Sequence, residues 1–166
     1  MSAPPPTIAS DRVLHYALLP KSIPCTPNHG LLYVDGHEIG KVPALAICES
    51  RQNKNFILHY CEKDWESIAV SVHDSAENAK RRAERIYPGS QALWRETNFS
   101  EEDAEQHLDR LYKDFHCSFC GKRGDLAGQM FTSDNPVQPK APPVHICDDC
   151  VSEFASALSN SPPLSN

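Results

Sequence analysis

The sequence predicts an α+β fold: a small antiparallel sheet with one or two helices, followed by a compact unit closed by four cysteines. Three observations predict it. Between residues 12 and 73, short apolar runs are separated by turn signals, as the strands of a sheet are. Residues 75–87 repeat small apolar side chains at helical spacing. Two CxxC pairs, Cys117/Cys120 and Cys147/Cys150, stand 26 residues apart.

Each element follows in order. Residues 1–10, with Pro4, Pro5 and Pro6, read as a disordered tail, because proline donates no backbone hydrogen bond. Arg12 to Leu19 reads as a strand, and a proline-broken loop follows it. Leu31 to Ile39 reads as a hairpin turning at Asp35-Gly36, since Asp-Gly supplies the positive φ values of a tight turn. Val42 to Cys48 is a strand whose start is set by Pro43. Phe56 to Cys61 and Trp65 to His73 are two more, the last with Ile68, Val70 and Val72 on one face.

Asp74 or Ser75 caps a helix to about Tyr87, with Ala76, Ala79, Ala83 and Ile86 on its apolar stripe, and Pro88-Gly89 stops it. Gln91 to Arg95 reads as a last strand. Ser100 caps a second helix with a buried stripe of Ala104, Leu108, Leu111 and Phe115, and three acids in its first turn suit the helix dipole. The predicted organisation is a disordered tail at 1–10, an α+β domain at 11–98, a connector helix at 99–114, a metal module at 115–158 and a disordered tail at 159–166.

The metal prediction rests on spacing. A CxxC turn places two thiolates on one side of a tight knuckle, and two knuckles complete a tetrahedron around zinc. Gly121 lets the first knuckle turn back, so that backbone N–H groups can face the sulfurs and offset a formal charge of about −2. Cys117, Cys120, Cys147 and Cys150 are therefore the expected ligands of one structural Zn²⁺. His116 and His145 lie close by, but each would displace a well-spaced cysteine. Beyond the second pair, Val151, Phe154, Ala155 and Leu158 share a helical stripe. It is too wide for a small knuckle to cover, and Val151, Phe154 and Leu158 are expected to bind a partner.

Cys117-Ser-Phe-Cys120-Gly-Lys, followed by Val144-His-Ile-Cys147-Asp-Asp-Cys150-Val, resembles the C4 zinc-binding domain at the N-terminus of ClpX, the AAA+ unfoldase that feeds the ClpP protease. The resemblance spans about Phe115 to Leu158. It implies a treble-clef-like module that dimerises and docks adaptors or substrates. Two departures accompany it: the loop between the pairs is longer, with the excess in Thr132 to Pro143, and no GxxxxGK[ST] phosphate loop occurs in the chain. The unfoldase activity therefore does not transfer.

Composition bounds the function. The net charge is −6, which argues against a nucleic-acid partner held through phosphates. Residues 117–166 carry three bases and five acids. No apolar run is long enough for a membrane helix, and the first residues lack the basic start and apolar core of a secretory signal. The seven cysteines read as thiols of a reducing cytoplasm. Cys61 with His59 would share a strand face, as a nucleophile and base would, although packing is the simpler reading. The same holds for Trp65 and Trp94 as core aromatics. Lys80, Arg81, Arg82 and Arg85 form a basic helix face that Glu77 and Glu84 are placed to neutralise.

The expected function is that of a non-enzymatic, cytoplasmic protein-interaction module binding a protein partner or a second copy of itself. An adaptor or regulatory role linked to proteolysis follows from the ClpX resemblance alone. The alternatives are a nucleic-acid-binding regulator using the zinc module or the basic helix, and a small enzyme in the N-terminal domain.

Overall fold

The computed structural model describes residues 1–26, 32–34, 37–51, 53–133 and 143–159. The chain forms two compact units, Met1–Leu108 and Asp109–Asn166. The fold is α+β, as the sequence predicts.

The first unit is built on a sheet with strand order β1-β2-β5-β6-β7, where β1 is Thr7–Ile8, β2 Asp11–Leu18, β5 Ala44–Glu49, β6 Phe56–Cys61 and β7 Ser67–His73. All of these pairings are antiparallel, and β8 (Arg95–Glu96) joins β2 opposite His15 and Tyr16. A separate hairpin pairs β3 (Leu32–Val34) with β4 (His37–Ile39). The expected Asp35-Gly36 turn between them lies outside the described residues.

Two apolar clusters form on the sheet because β5 is apolar and buried from Ala44 to Cys48, and alternation sends its side chains both ways. Leu45 and Ile47 point to one cluster with Leu58, Tyr60 and Ala17. Helix α1 (Ala76–Ile86) closes it with Ala79, Ala83 and Ile86. Ala44, Ala46 and Cys48 point to the other, with Val13, Cys61, Ile8 and Trp65. Trp65 meets Tyr16 edge to face at 5.8 Å, and Trp94 packs against the first cluster. Both tryptophans are packing residues. The caps are as expected: Ser75 accepts the Asn78 amide at 3.2 Å. Ser100 and Asp103 exchange bonds at the start of α2 (Glu101–Leu111), a capping box with Asp in the third position.

Four expectations are corrected. Residues 1–10 are not a loose tail: Thr7 and Ile8 are buried strand residues, and the Thr7 hydroxyl lies 2.7 Å from His107 Nδ1. Ile8 pairs with Asp11 across a two-residue turn at Ala9 (φ 47°) and Ser10 (φ 71°). Gln91 to Arg95 is not one strand. The Glu84 carboxylate accepts the amides of Gly89 (2.8 Å) and Gln91 (2.7 Å), and it curls 90–93 into a 3₁₀ turn before β8 begins. In β7 a bulge opposite Tyr60/Cys61 separates Ile68, which packs toward α1, from Val70 and Val72, which are exposed. The second helix ends at Leu111, which is 61% exposed. Phe115 has left the helical stripe because its carbonyl accepts the Gly124 amide at 2.9 Å.

His59 lies in the middle of β6 and is fully buried, with Nδ1 2.8 Å from Ser67 Oγ. Asp11 Oδ2 stands 3.9 Å from Nε2, but loss of water dominates and lowers the imidazole pKa to about 4. The unfolded chain therefore takes up a proton near pH 6.5 that the folded chain refuses until about pH 4. The stability due to neutral His59 is complete above about pH 6.5 and is lost as pH falls through that window. It amounts to roughly 3 kcal/mol. Urea unfolding at pH 7 and pH 4.5 should show the wild type losing roughly 2–3 kcal/mol more than His59→Gln. An equal loss in both proteins would clear His59 of this role.

Candidate metal centre

The second unit is a knuckle, a hairpin and a helix in that order. The knuckle runs from Phe115 to Arg123. Cys117 donates its amide to Lys122 O at 2.8 Å, and Gly121 donates to Cys117 O at 2.9 Å. Gly121 has φ +74°, the left-handed region that a side chain disfavours, and an added Cβ would meet nothing. Its requirement is therefore conformational. Gly124 is needed for space, since a Cβ there would lie 2.1 Å from the Phe115 ring.

The hairpin pairs β9 (Met130–Ser133) with β10 (Val144–Cys147), so Cys147 ends a strand. Helix α3 (Asp148–Ser159) starts at once and carries Cys150 in its first turn. Knuckle and hairpin are stitched together at Ser118: its amide donates to His145 O at 2.7 Å, and its hydroxyl accepts the His145 amide at 3.1 Å. Much of the expected loop excess, residues 134–142, lies outside the described residues.

This path gathers all four predicted cysteines. Their sulfurs lie within 4.8 Å of one another, with Cys117 and Cys150 at 3.8 Å and Cys120 and Cys147 at 3.6 Å. Metal–thiolate bonds of about 2.3 Å in a tetrahedron put sulfurs about 3.8 Å apart, so the quartet is of a size to hold a metal ion. Cys117, Cys147 and Cys150 are buried, while Cys120 is exposed. Burial works against the Cys117 thiolate, but the amides of Cys120, Cys147 and Phe119 together outweigh it and bring its pKa down to about 6. The Cys147 amide lies 3.4 Å from Cys117 Sγ. These donors supply the second shell that a charged thiolate cluster needs.

The two histidines are placed elsewhere. His145 is buried, stacks edge to face on Phe115 at 4.8 Å and bonds Thr132 Oγ1 at 3.0 Å. His116 pairs with Arg123 in an isolated bridge. Neither belongs to the sulfur quartet. Arg123 is the residue that sequence reasoning missed. It is buried, with Nε 2.5 Å from Asp125 Oδ1 and Nη2 3.1 Å from Asp125 Oδ2, and its Nη1 also pairs with Asp109. An Arg-x-Asp spacing in a loop carries no periodic signal, so nothing in the sequence marked it.

The stripe residues Val151, Phe154 and Leu158 lie on α3, where every residue from 151 to 159 is exposed. The Phe154 ring meets exposed Phe119 at 5.3 Å, edge to face. Cys48 and Cys61 are buried in the first unit, and burial pushes the Cys61 thiol up to about 12, away from a reactive thiolate. His59 turns its Nδ1 to Ser67. Among the described residues no helix is long and apolar enough to cross a membrane. Comparison with family models, with curated proteins and with solved structures yields no match to this chain.

Proposed function

We propose that the cysteine quartet holds one structural zinc ion and that residues 115–158 are a protein-interaction module of the ClpX N-terminal type. When bound, zinc neutralises the thiolates and ties the knuckle to the start of α3. On this reading the chain is a non-enzymatic cytoplasmic adaptor or regulator, and the resemblance links it to proteolysis.

One observation carries the interaction reading. The α3 stripe is apolar yet uncovered: Val151 is 39% exposed, Phe154 42% and Leu158 77%, and Phe119 beside them is 58% exposed. Contiguous apolar surface of this kind on a small module marks a binding face. The occupant we assign is a second copy of the chain. The stripe itself carries no charge that would select a different partner, and paired aromatics such as Phe119 and Phe154 can interleave with their own equivalents across a two-fold axis. Exposed Asp149 and half-buried Asp148 near the centre disfavour a phosphate backbone there.

The purified protein should carry about one zinc per chain, since four thiolates close one tetrahedral site. Sedimentation analysis should show a dimer. Phe154→Asp should weaken it at least ~30-fold, the effect of losing about 2 kcal/mol at a hot spot, with zinc content unchanged. A wild-type monomer at high concentration would end the second-copy reading. Loss of zinc or fold in Phe154→Asp would mean that the ring serves the module's own packing.

A further inference from the structure

The basic face of α1 does not behave as its sequence suggests. Glu77 and Glu84 are spaced to neutralise it, and only Glu77 does so, by pairing with Lys80 at 3.2 Å. Glu84 turns away and spends both carboxylate oxygens on the 89–91 turn, taking two backbone amides and the Ser90 hydroxyl at 3.2 Å. That commitment lowers the Glu84 pKa: burial opposes the shift, and the bonds from Gly89, Gln91 and Ser90 outweigh it. Arg81 instead leans on the neutral Asn78 side-chain oxygen. Among the described residues, no carboxylate pairs with Arg81 or Arg85.

These guanidiniums line one open cleft of about 430 Å³ between the end of β7 and α1. Its walls are Val72, His73, Asp74, Asn78, Arg81, Arg82 and Arg85. Arg81 and Arg85, with which no carboxylate pairs among the described residues, therefore share this cleft with a single lining carboxylate, Asp74, in a chain whose net charge is −6. Arg82 also acts on the buried Tyr60 hydroxyl: burial raises that pKa, and Arg82, with Ser71, works to lower it. His73 is held in place by its Nε2, 2.8 Å from Ser71 Oγ. The first turn of α1, where the helix dipole is positive, opens on the same cleft through Asn78.

We propose that this cleft binds the phosphoryl group of a phosphorylated small molecule. Guanidinium forks match phosphate oxygens in pairs, and several of them on one wall fix both charge and geometry. A cavity of this volume takes a phosphate or diphosphate with a modest organic group. Exposed Val72 supplies an apolar wall on which that group can lie. The cleft belongs to the first unit, so the proposal stands apart from the zinc reading.

The test uses the full zinc-loaded chain at constant ionic strength, with inorganic pyrophosphate as the probe. Arginine Nε–H signals of Arg81, Arg82 and Arg85 should shift saturably in NMR titration. Arg81→Gln combined with Arg85→Gln should weaken binding at least ~30-fold (two charge-assisted contacts), and backbone spectra should confirm an intact sheet. Shifts that sodium chloride reproduces would overturn the proposal, as would an affinity that the double variant leaves unchanged. A single-stranded oligonucleotide whose affinity grows with length and exceeds that of pyrophosphate would replace the small molecule with a nucleic-acid backbone. Arg81→Gln alone serves if the double variant fails to fold; pyrophosphate affinity unchanged in it would equally overturn the assignment.

Discussion

Removing the metal should unfold the chain from Asp109 onward and leave Met1–Leu108 standing. Among the described residues, the second unit has no apolar core apart from its ligands. Its buried apolar cluster is Cys117, Cys147 and Cys150, with Ala127, Met130 and Ile146 only partly covered. Structural zinc in such small folds contributes about 10–16 kcal/mol of apparent binding energy at neutral pH, and nothing else in the unit can replace that. The first unit owes its stability to the two apolar clusters on its sheet. Hydrogen exchange after chelation should show full exchange in β9, β10 and α3 and continued protection in β2, β5 and β6. Cys147→Ser should give the same pattern without a chelator. A single collapse of all protected amides would mean that the two units do not fold independently.

Arg123→Ala should cost the second unit about 3–5 kcal/mol, the range for breaking a buried ion pair from one side. The Arg123 side chain is 5% exposed and that of Asp125 1%, so truncating Arg123 takes the paired cation away from a buried carboxylate. Competition with a chromogenic chelator reads the effect, since a weaker fold yields its metal at lower chelator concentration. The double change Arg123→Ala with Asp125→Ala should recover part of the loss by removing the buried charge, while Arg123→Lys should fall between the two. If Arg123→Ala stays within about 1 kcal/mol of the wild type, the ion pair is a passenger.

The parts of this protein that were legible in the sequence are those governed by periodicity or by fixed spacing. The central strands β5 and β6, the α1 stripe and both serine caps announce themselves within a few residues. The cysteine quartet is legible because two CxxC knuckles allow few geometries besides a tetrahedron. Three features were hidden for different physical reasons. The β1–β2 turn places Ala9 and Ser10 at positive φ without the glycine or asparagine that usually flags such a turn, so the paired strand before it looked like a tail. Glu84 sits where a helical ion pair is expected, and backbone amides outbid the arginines for its oxygens. Arg123 joins Asp109 from far along the chain, a contact set by the tertiary path alone.

Helix α3 begins at its ligand. Cys150 is the third of its twelve residues, and it is the only buried one. A free helix of that length is marginal in water, because ordering the first turn costs more than its first hydrogen bond returns. Here the bound ion would do the initiating, with Cys147 and Cys150 holding the backbone of that turn in register. The apolar stripe beyond would then last only as long as the ion stays. The residence time of the metal, rather than helix propensity, would set how long the surface is on display.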